Sequence, residues 1–544
     1  MCGSERVVIG TEFKVSVCDL NEAGVSRKLY SKEEIYGIQS YDNDSVLLKR
    51  GGDKYGIYDC KKGRETGIFS QIDWFSTPYV AEDGILFAYD KTKLYFYSDS
   101  DRKNSVLYWS DYGVDGSLID KIYLDNGTLH CIMREGLSDW KDLYLSDDNN
   151  LEKESTDITY LTIGCVRDDS AFENAIAAFN KSSKDIKVII KDYSESEAGS
   201  PENALYNDIL AGTGPDLVQI NREEMGDDRF IRANMLEGLS PYLEGSTVVK
   251  RSDFIPTFLD AISYDGEIYY CPTNFFFDCR YGIYDDNASW NLDRFLEYIK
   301  SNQNKEIAMS RSEYIDLIAV NALCKDIEPE EIRADVKIIV ETLSFLTEPG
   351  IYNPDFSARK KGKIILEGAS FMDAQDYLVS RSIWGGGTIK GYPEVEGSGC
   401  YFVPDNSYAI SSTSSNKMAA WRFIEYFFTE EGRENGTPNW LFSSNKELFE
   451  EQLRAMTLND NNKDELVYSY IDEDLYVEVM PAPEEIIDEL RNAVYNTKSI
   501  VRSSKEVHDI IAEESEYYFR GEKNKEEAID VIMGRLKAYY GERE

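Results

Sequence analysis

Residues 159–221 carry three short apolar, β-branched runs separated by two segments of helical period. That alternation is the pattern of a parallel sheet built with crossover helices, and it admits few other folds. Tyr160 to Gly164 is the first run, and Ser170-Ala171-Phe172-Glu173 has the spacing at which a hydroxyl and a carboxylate cap a helix start reciprocally. Phe172, Ala175, Ile176 and Phe179 form one stripe, Ile186 to Ile190 is the second run, and Pro201, Leu205, Ile209 and Gly212 mark the start, face and stop of a second helix. Asp216 to Ile220 is the third run. In such a sheet ligands bind just past the carboxyl ends of the strands. That rule points to Arg167 and Asp168 after the first strand and to Asn221, Arg222 and Glu223 after the third. Each of these taken singly also reads as an ordinary solvated loop residue.

A chain of 544 residues predicts two or three domains rather than one core. Its 59 basic and 100 acidic residues give a net charge of −41, a field that repels nucleic acid and anionic membrane surfaces. Only two histidines are present, which disfavours the hydrolase mechanisms that need a positioned imidazole. No apolar run approaches the length of a membrane span. The nine cysteines show no CxxC pair and no metal-ligand spacing. Most read as small buried apolar side chains, a bridge between the near pair Cys271 and Cys279 being the alternative.

Residues 1–150 carry an internal repeat of about 40 residues. Runs at Val7–Gly10, Val46–Lys49, Ile85–Ala88 and Thr128–Ile132 are each followed by a second run, at Phe13–Cys18, Tyr55–Cys60, Leu94–Tyr97 and Asp142–Leu145. Four strands per repeat is the proportion of a propeller blade, so an all-β, propeller-like domain is expected, either open or closed into a small ring. Its aromatics, Tyr58, Trp74, Tyr95, Tyr97 and Trp109, either pack between blades or form a stacking platform. The polar residues 147–156 read as a linker.

From residue 156 onward the order of elements resembles the solute-binding proteins of sugar ABC importers, the maltose-binding-protein-like family. The resemblance rests on the 159–221 pattern, then GLSPYLE, AISYDGEIYYCPTNFF, GYPEVEGSG and AISSTSSNKMAAWRFIEYFFTEEG. It implies a two-lobed α/β fold of the type II periplasmic-binding-protein class. One lobe would comprise 156–273 and about 400–440, the other 274–399 and about 441–544. The hinge would lie near 272–274 and 407–411. It also implies an extracytoplasmic protein held by a lipid on Cys2, the residue that would then begin the mature chain.

A sugar site needs flat aromatic faces and planar amides or carboxylates that bind vicinal hydroxyls. Beyond the loop residues above, the resemblance places Asn274, Phe275, Phe276, Asp373, Gln375, Trp384 and Trp440 at cleft positions. Three consecutive phenylalanines, Phe275 to Phe277, cannot all face a ligand if they lie in one strand. Trp290 reads as a staple at a helix start and Trp421 as core. Trp384-Gly385-Gly386-Gly387 lacks the lysine and hydroxyl of a phosphate loop, and the acidic clusters do not match a calcium loop. The expected function is capture of an oligosaccharide and its delivery to ABC permease subunits by a monomer that uses no cofactor and no metal. The alternatives are a ligand-sensing or interaction protein on the same fold, and a carbohydrate-active enzyme using paired carboxylates.

Overall fold

The structure is a computed structural model that describes residues 6–11, 14–19, 25–30, 34–40, 44–50, 54–69, 77–80, 86–97, 103–125, 128–134, 140–145, 158–167, 170–194, 200–220, 227–282, 290–302, 306–323, 329–346, 364–395, 397–436, 440–462, 468–472, 475–501 and 504–541. They fall into two compact units, residues 1–161 with 168–190, and residues 162–167 with 191–544.

The first unit opens with four antiparallel sheets in chain order. They are β1 (Arg6–Thr11), β2 (Lys14–Asp19) and β3 (Val25–Tyr30); β4 (Ile35–Ser40), β5 (Ser45–Arg50), β6 (Lys54–Asp59) and β7 (Arg64–Phe69); β8 (Thr77–Val80), β9 (Leu86–Tyr89), β10 (Lys93–Tyr97) and β11 (Lys103–Tyr108); and β12 (Ile119–Asp125), β13 (Thr128–Arg134) and β14 (Trp140–Leu145). The repeat read from the sequence is thus a repeat of strands, β4, β8 and β12 beginning at 35, 77 and 119. The first sheet shares a core with the second, and the third with the fourth. Val15 and Val17 of β2 pack with Val46, Leu48 and Tyr58 of the second sheet, and Phe87, Tyr89 and Leu94 pack with Ile122, Leu129 and Cys131. Tyr58, Tyr95 and Trp109 are buried, so these three pack rather than present a platform. Trp74 and the side chain of Tyr97 lie outside the described residues.

This unit also holds α1 (Ser170–Ser182) and most of a strand, β16 (Ile186–Asp192), that follows β15 (Thr159–Cys165). Trp109–Tyr112 is a single 3-10 turn closed by Gly113 in the left-handed region at φ 68. A side chain on Gly113 would stand 3.2 Å from the Lys181 nitrogen, so glycine serves both the conformation and the approach of α1. Asn180, 2% exposed, donates from Nδ2 to the carbonyls of Ser110 (2.9 Å) and Val188 (2.8 Å), and its Oδ1 accepts from the Val188 amide at 2.7 Å. Asp111 accepts from the Ile190 amide at 3.2 Å. One turn of the β-rich region is thereby hydrogen-bonded to both the helix and the strand that follow the segment read as a linker.

In the second unit α2 (Pro201–Leu210) is capped by Ser200, whose hydroxyl accepts from the Asn203 amide at 3.3 Å. The sheet is formed by the end of β15 with β17 (Leu217–Ile220), β18 (Tyr270–Gly282), β19 (Glu306–Ala308), β20 (Ile364–Phe371), β21 (Thr388–Lys390) and, beyond the short hairpin β22 (Tyr392–Glu394) and β23 (Gly397–Gly399), β24 (Tyr401–Ile410) and β25 (Phe442–Ser443). Ile163 and Gly164 pair in parallel with Leu217 and Val218, as the βαβ pattern predicts. A Cβ on Gly164 would meet Leu205 and Pro215 at 2.9 Å, which explains the small residue at this strand end.

At Pro272, where the hinge is expected, the strand is not interrupted: β18 runs unbroken through it for thirteen residues. β24 supplies a continuous antiparallel partner from Tyr270↔Ala409 to Asp278↔Tyr401, and the Pro272 and Thr273 carbonyls are met on the other side by the Ser444 hydroxyl at 2.8 and 3.0 Å. Proline has no N–H to leave unpaired at this edge.

Burial without a counter-charge raises the Asp111 carboxyl to about 7, the Ile190 hydrogen bond opposing only part of that rise. A raised folded-state pKa stabilises the fold fully below the ordinary carboxylate range and loses that contribution as pH rises through about 7. Thermal unfolding of the full chain should show a transition of the first unit that shifts to lower temperature between pH 5.5 and 8.5. Asp111→Asn should flatten that pH dependence, and an unaltered slope in the variant would assign the dependence elsewhere.

Candidate functional site

Three of the candidate residues, Asn274, Phe275 and Phe276, lie on β18, whose long partner is β24. The first half of β18 faces the part of β24, Ser407 to Ile410, that also pairs with β17. Its second half pairs with β20 (Phe277↔Phe371 to Arg280↔Gly368) and with β21 (Arg280↔Lys390 to Gly282↔Thr388). One strand therefore joins the β15–β17 portion of the sheet to the β20–β21 portion.

Alternation along β18 sorts the phenylalanines. Phe275 and Phe277 are fully buried and Phe276 is half-buried. Phe275 lies at the centre of a ring cluster, with Phe402 at 5.1 Å, Phe258 at 5.2 Å and Phe442 at 5.5 Å between centroids. Its predicted role as a ligand contact is corrected to core, because an even-spaced strand cannot turn neighbouring side chains to the same face. Asn274 is buried, and its Oδ1 accepts from the Thr273 hydroxyl at 2.8 Å.

Asp373 and Gln375 stand at the start of α3 (Ala374–Trp384). The Asp373 carboxylate caps that helix, accepting from the Asp376 amide at 2.9 Å, and burial raises its pKa. Gln375 is half-buried in the first turn. Trp384 closes the helix and is buried, with Gly385 at φ 68 ending it. Trp440 is 53% exposed. The amide of Phe442 donates to the Met372 carbonyl at 2.7 Å, which sets the Trp440 segment beside the Asp373 turn. These two predicted positions are brought together, whereas Trp384 is turned into packing. Arg167 is exposed. Asp168, Asn221, Arg222, Glu223 and Cys2 lie outside the described residues. Trp290 is buried, with the Arg280 guanidinium over its ring at 4.1 Å, and Trp421 is core.

Two cavities flank β18. The larger, about 380 Å³, is lined by Thr273, Asn274, Phe427, Phe428, Arg433, Ser443, Asn445 and Gln452 among others. Apart from Asn274 none of these is a candidate from the sequence; beyond β18 they come from the turn after α4 (Lys417–Tyr426), the short helix Glu430–Gly436, β25 and α5 (Lys446–Met456). Several of its polar groups already serve the fold. Asn445 caps α5 through the amides of Glu447 and Leu448, and Gln452 bridges the Ser443 amide and the Leu441 carbonyl. The second cavity, about 300 Å³, lies between β20 and α3 and is lined by Tyr281, Glu367, Ser370, Phe371, Asp376, Ser380 and Trp384 among others. Among the described residues no group of three or more His, Cys, Asp or Glu is arranged to hold a metal ion, and no helix is long and apolar enough to cross a membrane.

Residues 166–301 match the family of bacterial extracellular solute-binding proteins. Solved structures similar to it include an ABC substrate-binding protein from Listeria monocytogenes in complex with cycloalternan (14% identity, 71% of this chain and 100% of that chain, TM-score 0.44). Others are a sugar-binding protein from Xanthomonas citri (14%, 71% and 98%, TM-score 0.44) and a periplasmic oligogalacturonide binding protein from Yersinia enterocolitica (14%, 70% and 99%, TM-score 0.45). No curated protein matches the chain. The family matched is one of binding proteins, and its region begins just after β15 and takes in α1, β16, α2, β17, all of β18 and the helix Leu292–Ser301.

Replacing Phe275 by alanine should destabilise the second unit by about 3–5 kcal/mol through the cavity left among the rings around it. Asp373→Ala should cost about 1 kcal/mol through the lost cap, with Asp373→Asn largely restoring it. Both are read by urea unfolding. A Phe275→Ala change below about 1 kcal/mol would mean that the ring cluster collapses without loss.

Proposed function

We propose that the chain is the extracytoplasmic solute-binding component of an ABC importer, that it captures an oligosaccharide between two lobes, and that it hands the closed, loaded form to the permease subunits. The observation that carries this reading is the solute-binding family match over residues 166–301, centred on a fold in which one long strand serves both portions of the sheet. The lobes are residues 156–273 with about 400–440, and 274–399 with about 441–544. Bending occurs in β18 near 272–274 and in β24 near 407–411, where each strand passes from one set of partners to the other. Ligand binding shifts the population toward the closed form, and no bond is made or broken.

The binding role is divided by chemistry. Trp440 offers an exposed ring to the apolar face of a pyranose. Asn274, Gln375 and Phe276 line the approach along β18 and the start of α3, and Arg167 with Asp168, Asn221, Arg222 and Glu223 supplies the loops past the parallel strands. Asp373 holds the α3 turn in place rather than touching the sugar, and Trp384 supports the same helix from within. Residues 1–150 form a propeller-like extension. Cys2 carries the lipid that holds the protein, as a monomer, at the outer face of the membrane.

Isothermal titration of the full chain with neutral oligosaccharides, the recovered ligand being checked for hydrolysis, tests this reading. One glycan class should bind and be returned intact. Trp440→Ala should weaken that binding at least tenfold, the scale of a lost stacking contact of roughly 1–2 kcal/mol, while leaving the melting temperature unchanged. Hydrolysed ligand would support a carbohydrate-active enzyme instead, and intact binding with no effect of the tryptophan would remove it from the site.

A further inference from the structure

Among the cysteines, the pair that the sequence brings nearest is not the pair that the fold brings together. Cys271 and Cys279 lie in one extended strand, eight residues apart, a span of about 26 Å at roughly 3.3 Å per residue. A disulfide needs Cα atoms about 4.4–6.8 Å apart, so those two cannot bridge. Cys400, far away in sequence, immediately precedes β24. The antiparallel register sets Asp278 opposite Tyr401, and one step further sets Cys279 opposite Cys400. Directly opposed residues of an antiparallel pair hold their Cα atoms about 4.5–5.5 Å apart with side chains on one face, inside the disulfide range. Both thiols are free, and each would sense charge on the other, since a Cys400 thiolate raises the Cys279 pKa.

We propose that Cys279 and Cys400 are a cross-strand modification site, at which a small-molecule disulfide oxidises the two thiols to a bridge that staples β18 to β24. Cys400, at the strand end and partly exposed, is the entry point, and Cys279, fully buried between β24 and β20, is the resolving thiol. The Cys400 sulfur attacks one sulfur of the oxidant disulfide, whose S–S bond breaks and releases one thiol. The Cys279 sulfur then attacks Cys400, and the second oxidant thiol leaves. Two cysteine thiols are oxidised to one disulfide, and the electron pair and both protons end on the two thiols of the reduced oxidant.

The surroundings set the kinetics. Burial pushes the Cys400 thiol up to about 12 and Cys279 well above its ordinary value, the neighbouring Arg280 opposing this and Asp278 adding to it. The attacking thiolate is therefore scarce in the folded protein. The bridge forms readily while the chain folds and only slowly afterwards.

The test uses the unaltered full chain. The protein is unfolded under reducing conditions, refolded in a mixture of oxidised and reduced glutathione, blocked with iodoacetamide in denaturant so that buried thiols also react, and digested without reduction. Mass spectrometry should find the peptide containing Cys279 linked to the peptide containing Cys400. The same link should appear at least tenfold more slowly when the folded, reduced protein meets oxidised glutathione at pH 7. Alkylated Cys279 and Cys400 after refolding, Cys279 linked to a different cysteine, or glutathione retained on Cys400 with Cys279 free would each overturn the proposal. The Cys400→Ser variant should lose the link and leave Cys279 alkylatable. Should that variant fail to fold, the peptide map of the unaltered chain decides alone.

Discussion

The antiparallel pairing of β18 with β24 is the interaction on which the second unit depends. Nine residues of one strand, from Tyr270 to Asp278, lie along the other with a continuous register. Each strand also carries a second partner set, β17 for β24 and β20 and β21 for β18. Burial is near complete along β18 because helices and β25 cover it, and the ring cluster around Phe275 fills the space where Phe402, Phe258 and Phe442 meet. A core of this density resists any one-residue slip, since a slip would turn Phe275 and Phe277 out and Phe276 in.

That constraint also orders the candidate site. With β18 fixed, β25 is held against Asn274 and Phe275, and the Phe442 amide is held on the Met372 carbonyl. The exposed Trp440 ring then stands beside the turn that Asp373 caps. The polar groups around the larger cavity are used to cap helices and bridge turns, which makes the cavity a rigid feature of the fold rather than a set of free donors and acceptors. In the first unit, rigidity comes from a few hydrogen bonds: Asn180 satisfies both its amide groups on Ser110 and Val188 and so joins a β-sheet turn to a helix and a strand. A buried amide with its donors and acceptor paired specifies one geometry, because any other leaves those groups unpaired.

The parallel strands of residues 159–220, their two helices and the repeat of strands before them were legible because each is a local pattern. β-branched runs, a cap, a proline and a glycine act within a turn or two of themselves. The site was legible only in part. The Asp373 carboxylate is taken by the Asp376 amide, and the Trp384 ring is buried at the end of its helix. Residue type announces that a group can bind, but burial decides whether it is available. Phe275 shows the same limit, since only the strand's phase relative to its neighbours tells which of three phenylalanines is core.

The sequence by itself determined, through composition and local pattern, an acidic chain with few histidines, a repeat of strands, and a βαβ region. Tertiary structure decided what depends on contacts between distant residues. It carried β18 through a proline that locally reads as a break, because β24 and Ser444 meet the carbonyls there. It separated Cys271 from Cys279 along one strand and ended the β18–β24 ladder at Asp278 and Tyr401, the neighbours of Cys279 and Cys400. Propensity and periodicity act over a few residues, whereas register is fixed by which strand arrives as partner, and no local pattern encodes that choice.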